Sequence, residues 1–126
     1  MEKRYENYHK HTCWSNVRTT DCVVSIEEYM QRSVSLGHKI YFTTEHGWQG
    51  NIPLSFTLCQ KYGLKCVYGV EAYYVDDIQD KSERTAYHLM LVALNKSGQL
   101  QLNKILSIAN KDGFYYKPRS EERRVG

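Results

Sequence analysis

Lys39-Ile40-Tyr41-Phe42-Thr43-Thr44-Glu45-His46-Gly47 decides the fold. Its first six residues are mostly β-branched or aromatic, which suits a pleated, half-buried strand. Its last three place a carboxylate and an imidazole at the C-terminal end of that strand, with Gly47 and Gly50 allowing tight backbone turns. Helical patterns flank it. Upstream, Ser25-Ile26-Glu27-Glu28 has the capping-box spacing, and Ile26, Tyr29, Met30, Ser33 and Leu36 share one helical stripe before Gly37 stops it. Downstream, a helix is expected to start near Pro53, with Leu54, Thr57, Leu58, Lys61 and Tyr62 at helical spacing, and to close at Gly63.

The rest of the chain extends the alternation. Tyr8-His9-Lys10-His11-Thr12 reads as a first strand, followed by a polar loop from Thr12 to Asp21. Leu64 to Val75 reads as a strand interrupted at Gly69 and carrying Glu71 towards its end. The charged run Asp76 to Arg84 is a solvated loop with no chemistry assigned. Tyr87 to Leu94 is almost wholly apolar, as expected of a strand buried on both faces, and His88 stands at its start. Ser97 to Lys111 is a helix, apolar at Leu102, Ile105, Leu106 and Ala109 and closed by Asp112-Gly113. The order is strand, helix, strand, helix, strand, loop, strand, helix, which predicts an α/β fold with parallel strands.

Such sheets gather their sites where strands run into the following loops. Residues two apart on an extended segment face the same way, so His9 and His11 converge as half of a metal site. His46 and Glu71 come to the same end from two further strands, and His88 stands at the start of a fourth. Four histidines with one carboxylate predict a metal centre; His38 has no place in it. Cys13 and Cys66 read as core rather than as ligands.

Composition sets the bounds. The 126 residues make one domain or less, and 41% hydrophobic with 25% charged residues is ordinary globular composition. Seventeen basic against 14 acidic residues leave a net charge of +3, which by itself makes no case for nucleic-acid binding. Cys13, Cys22, Cys59 and Cys66 show no metal or redox spacing and read as reduced, buried thiols. Neither an export signal nor a membrane span is visible, so a soluble cytoplasmic protein is expected. Eleven tyrosines, including Tyr73-Tyr74 and Tyr115-Tyr116, could stack bases. Packing on the strands is their plainer use.

With these pieces placed, His9-Lys10-His11, Thr44-Glu45-His46-Gly47, Gly69-Val70-Glu71-Ala72-Tyr73 and Tyr87-His88-Leu89 resemble the PHP (polymerase and histidinol phosphatase) family of metal-dependent phosphoesterases. His88 to Asn95, Gly98, Asn103-Lys104-Ile105 and Gly113 to Arg119 are similar to the version carried by bacterial replicative DNA polymerases. The resemblance implies the N-terminal portion of a distorted seven-stranded TIM-like barrel, with about four strands and three helices present. It also implies up to three divalent metals (Zn, Mn or Fe) and 3′–5′ exonuclease chemistry at a DNA 3′ end. The remaining polymerase domains and replisome subunits would be its partners. Carried over by position, His9 and His11 bind one metal, Glu71 bridges two, His88 helps hold a second, and Asp21 and His46 hold or adjoin a third. The catalytic set is then His9, His11, Glu71 and His88.

The family writes Thr-Asp-His more often than Thr-Glu-His, so Glu45 stands either behind the ligands or at a helix cap. A stand-alone phosphatase and an inactive structural scaffold are the alternative functions. The family's later ligands have no counterpart after His88, so the site is expected to be incomplete here. Residues 1–118 are expected to form a partial domain. The tail 119–126, which looks like translated sequencing adapter, is expected to be disordered or artefactual.

Overall fold

The structure, a computed structural model, describes residues 5–17, 19–82 and 84–121. Its three helices begin and end where local chemistry dictates. Helix α1 (Ile26–Ser35) is capped by Ser25, whose hydroxyl accepts the Glu28 N–H while the Glu28 carboxylate accepts the Ser25 N–H. Helix α2 (Ile52–Tyr62) has Pro53 in its first turn and ends at Gly63. Asn95 caps α3 (Lys96–Lys111) by accepting the Gly98 N–H at 2.9 Å. Of the expected stripes, Ile26, Met30 and Ser33 on α1 and Leu102, Leu106 and Ala109 on α3 are buried, whereas Leu36 is exposed, and α2 buries Ser55, Leu58 and Cys59 rather than Leu54 and Thr57.

The sheet is mixed and built around one long strand. β1 (Ile40–Thr43) runs parallel to the first half of β2 (Lys65–Tyr74), with Ile40 opposite Lys65 and Thr43 opposite Tyr68. Pairing resumes at a bridge between His46 and Glu71, where Glu71 N–H donates to Glu45 O at 3.0 Å and Gly47 N–H to Glu71 O at 2.9 Å. β4 (Arg119–Ser120) takes over at the end of β2, with Arg119 opposite Tyr73. β3 (Tyr87–Val92) pairs antiparallel with β2 and sets His88 opposite Tyr73.

α2 and α3 pack on one face of β2, and α1 packs on α2 and Tyr41 beside them. Ile26, Met30, Tyr41, Leu58, Cys59 and Leu64 form one core cluster with Cys66 against it, and Val70, Ala72, Leu102 and Leu106 form the other. Strand alternation turns Gly69, Glu71 and Tyr73 to the opposite face.

Several expectations are corrected. The apolar run at Tyr87 is antiparallel rather than parallel, and Tyr87 and Leu89 are 70% and 45% exposed. Among the described residues the loop before β3 contains no helix, so no helical crossover brings the chain back in parallel. α3 then returns over β2 and covers only the Leu91 and Ala93 end of the run. β2 passes through Gly69 without a break, and glycine stands there because a side chain has no room. A Cβ would lie 2.8 Å from Leu91 O and 3.2 Å from Thr43 O, both backbone atoms of flanking strands. Residues 8–12 form no strand. Cys13 is exposed and Cys22 half-buried, although all four cysteines are free.

Arg119 and Ser120, which the sequence reading put in the tail, pair with β2 as β4; residues 122–126 lie outside the described residues. The buried Arg119 guanidinium donates to Gly113 O at 3.0 Å, Asp80 O at 2.7 Å and Ile78 O at 2.6 Å, tying the charged loop to the sheet. No helix among the described residues is long and apolar enough to cross a membrane.

Candidate metal centre

The His9–His11 segment is held by side chains rather than by a ladder. Thr44 Oγ1 accepts the Lys10 N–H at 2.9 Å and directs its own hydroxyl at Tyr8 O and Lys10 O, each 3.1 Å away. The Glu6 carboxylate accepts the N–H groups of Lys39 and Ile40 and fixes the segment across the start of β1. The alternation expected of a strand is therefore kept. His9 and His11 face one way, while the buried Lys10 points the other, with Nζ 4.1 Å from the Tyr41 ring centroid.

Glu71 is where the imidazoles meet. Its side chain is 1% exposed, and its two oxygens divide the four histidines into pairs. Oε2 lies 2.6 Å from His9 Nε2 and 2.9 Å from His11 Nε2. Oε1 lies 3.1 Å from His46 Nδ1 and 2.9 Å from His88 Nδ1. The parallel bridge supplies His46, and the antiparallel register supplies His88. Burial alone would raise the Glu71 carboxyl. The His9 hydrogen bond and the neighbouring imidazoles of His46, His11 and His88 outweigh it and hold Glu71 below its ordinary range. Burial, with the His46 ring beside it, lowers His11, which keeps that imidazole neutral and its lone pair available.

A second layer stands behind this cluster. Glu45 is buried and accepts from Thr12 N at 3.0 Å, from Thr12 Oγ1 at 2.5 Å and from Ser15 Oγ. Ser15 Oγ also lies 2.8 Å from His11 Nδ1 and 3.2 Å from the His46 N–H. A hydroxyl has one proton, and Ser15 gives it to Glu45. Ser15 therefore accepts from His11 Nδ1–H, which leaves the lone pair of that ring on Nε2, facing Glu71. Glu45 thus works behind the ligand, through Ser15, and caps no α-helix.

Asp21 lies one step outside the cluster, its Oδ2 2.6 Å from His46 Nε2. Tyr73, raised above its ordinary range by burial and by the charges of Glu71 and Asp21, stays protonated 3.2 Å from His46 Nδ1. His38 packs edge-on against Tyr5, 6.3 Å between centroids. Ser15, Thr12 and Tyr73 were missed as parts of the site. Thr44-Glu45-His46 was visible as a motif, but the partner of Glu45 was not.

The donors fit a divalent ion. Among the described residues, ligand atoms of His9, His11 and Glu71 all lie within 4.8 Å of one another. His9 Nε2 and His11 Nε2 are 3.1 Å apart, whereas ligands ~2.1 Å from one ion stand roughly 3.0–3.4 Å apart at octahedral to tetrahedral angles. Glu71 Oε1 is buried and makes no hydrogen bond, although two imidazole nitrogens crowd it. Acceptors aimed at a common point, rather than at one another's protons, account for that. Neutral imidazoles with a carboxylate suit Zn, Mn or Fe.

Helices on one face of a mixed sheet, and on the other a carboxylate gathering histidines from two strand-end segments and an N-terminal arm, define the class. The chain belongs to the PHP domain family, which matches residues 7–125. Within its relatives, it is 30% identical to DNA polymerase III subunit alpha of Aquifex aeolicus (strain VF5) over 132 residues, covering 94% of this chain and 11% of that protein. The corresponding subunit of Helicobacter pylori (strain ATCC 700392 / 26695) is 33% identical over 119 residues, covering 93% of the chain and 10% of the relative. DNA polymerase III PolC-type of Caldanaerobacter subterraneus subsp. tengcongensis is 40% identical over 76 residues, 60% of the chain and 5% of that protein. The chain thus spans about a tenth of the length of the alpha-subunit relatives it matches.

Proposed function

We propose that this chain is the N-terminal part of the PHP domain of a DNA polymerase III alpha subunit. In that parent, a cytoplasmic replication protein, its metal centre would hydrolyse phosphodiester bonds at DNA 3′ ends. The observation that carries the reading is the two-sided Glu71, with one oxygen facing His9 and His11 and the other facing His46 and His88. That arrangement suits a carboxylate bridging two ions. His9 and His11 would hold one, His88 would help hold a second, and Asp21 with His46 would hold or adjoin a third. When bound, such ions supply a water made nucleophilic near neutral pH and positive charge at the phosphoryl oxygens.

The chain's own residues do the rest. Ser15 fixes the His11 ring so that Nε2 faces the site, Tyr73 offers a proton towards His46, and the sheet excludes water from behind Glu71. Further ligands and the partners of the replication assembly would come from the parent protein.

The test has two parts. Sequencing the source DNA through and beyond the codon for Gly126 should find the frame continuing into polymerase sequence; a stop directly after Gly126 overturns the fragment assignment. The parent protein with Mn²⁺ should shorten 3′-labelled single-stranded DNA, and His9→Ala should abolish that without abolishing polymerisation. Hydrolysis of histidinol phosphate instead would favour a stand-alone type of phosphatase. Metal-dependent melting with no hydrolysis would favour a structural scaffold.

A further inference from the structure

Beside the centre lies a cleft of about 990 Å³, within the size range of small-ligand sites. Asp21 and His46 line it on the side of the metal-binding residues, and Trp48, Phe114 and Tyr116 line it elsewhere. The aromatic lining is built rather than incidental. Trp48 donates its indole N–H to Trp14 O at 2.8 Å and packs its ring over Gly50, so its orientation is fixed. Phe114 is 52% exposed, more than a core role needs. Tyr116 has φ of 63°, a left-handed conformation rare for a bulky side chain. The Arg84 guanidinium lies 3.7 Å from the Tyr116 ring centroid. Lys117 Nζ stands 5.0 Å from the ring centroid of Tyr73, the residue that reaches His46, so a cation sits next to the metal-binding side.

We propose that this cleft binds the nucleobase of the nucleotide whose phosphate lies at the His46 side. The inference rests on the phosphodiesterase reading above and adds the substrate's other half. A phosphate is served by the centre and by Lys117. A sugar phosphate or an amino-alcohol phosphate would use that part alone and make no use of the Trp48 and Phe114 rings. Every nucleobase has a π-face, so stacking against Trp48 or Phe114 accepts any base and requires it to be out of the duplex stack. The ligand is therefore an unpaired terminal nucleotide, taken without sequence preference.

The test compares binding by the full 126-residue chain, with Mn²⁺ present, of thymidine 5′-monophosphate, 2-deoxyribose 5-phosphate and inorganic phosphate. Calorimetry should give the nucleotide an affinity about tenfold or more above the base-free sugar phosphate. Only the nucleotide should quench tryptophan fluorescence. Phe114→Ala and Phe114→Leu should both shrink that advantage while leaving 2-deoxyribose 5-phosphate binding unchanged; the leucine variant keeps an apolar side chain and removes only the π-face. Equal affinity for nucleotide and sugar phosphate overturns the base site and leaves the metal-centre reading standing. Absence of binding by all three phosphates overturns the base site and phosphate binding by this chain's own residues, and the DNA-shortening assay on the parent protein decides the phosphodiesterase reading separately.

Discussion

Replacing Ser15 by alanine tests the layer behind the centre. The hydroxyl donates to Glu45 and accepts from His11 Nδ1–H at 2.8 Å and from His46 N–H at 3.2 Å. Ser15→Ala removes all three hydrogen bonds and leaves the buried Glu45 carboxylate with Thr12 alone. A bond to a charged group contributes about 1.5–3 kcal/mol and a neutral one about 0.5–1.5, so with some relaxation the loss of stability should be about 2–4 kcal/mol. Metal binding should weaken by ~10–100-fold, because a ligand histidine loses the partner that fixes its tautomer and ring orientation.

Urea melts and chelator competition with Zn²⁺ measure these effects. Nitrogen-15 shifts of His11 in the metal-free chain read the tautomer directly. Glu45→Gln provides the converse case: an amide can donate to Ser15, which frees the serine proton to turn towards His11 and move the lone pair to Nδ1. Retention of the Nδ1–H tautomer in Ser15→Ala, with Zn²⁺ affinity within about threefold of the parent chain, would refute the relay from Glu45 to His11.

Three further outcomes are expected. Gly69→Ala should destabilise the sheet by about 1–3 kcal/mol in chemical denaturation, since its Cβ would meet the carbonyls of Leu91 and Thr43; an unchanged midpoint would contradict the close approach. Arg119→Met should cost about 3 kcal/mol or more by stranding the carbonyls of Gly113, Ile78 and Asp80, and should speed proteolytic cleavage in the loop that follows β2; equal cleavage rates would count against the tie. Burial lowers Lys10 from 10.5 to about 8. Below pH 8 both folded and unfolded chains carry that proton and the cost of burying the charge is complete. Between pH 8 and 10.5 only the unfolded chain keeps it, so stability should rise with pH by up to about 3 kcal/mol. Lys10→Met should remove that rise, and parallel pH profiles for the two chains would show the cost to be absent.

Much of the site was legible because its signals are local. The two-residue spacing of His9 and His11 aims both rings one way on any extended backbone, and this held although Thr44 and Glu6, rather than a sheet ladder, keep the segment extended. His46 and Glu71 were readable as strand-end residues. Ser15 was not readable, because a serine in a polar loop carries no periodic signal and its role comes from Glu45, 30 residues away. The apolar run at β3 misled for a related reason: hydrophobicity reports that a strand has something to bury, but not how much of it a following helix will cover.

The sequence by itself determined the elements and the donor set. Caps, glycine stops and side-chain periodicity act over a few residues, and they placed α1, α2, α3, β1 and β2 within a residue or two. The tertiary structure alone decided that β3 runs antiparallel, that Tyr73 faces His88, and that Arg119 closes the end of β2. It also decided that one buried carboxylate divides four imidazoles between its two oxygens. Strand direction and register are set by pairings between distant segments, and a shift of one residue would turn Glu71 from the site into the helix-covered core.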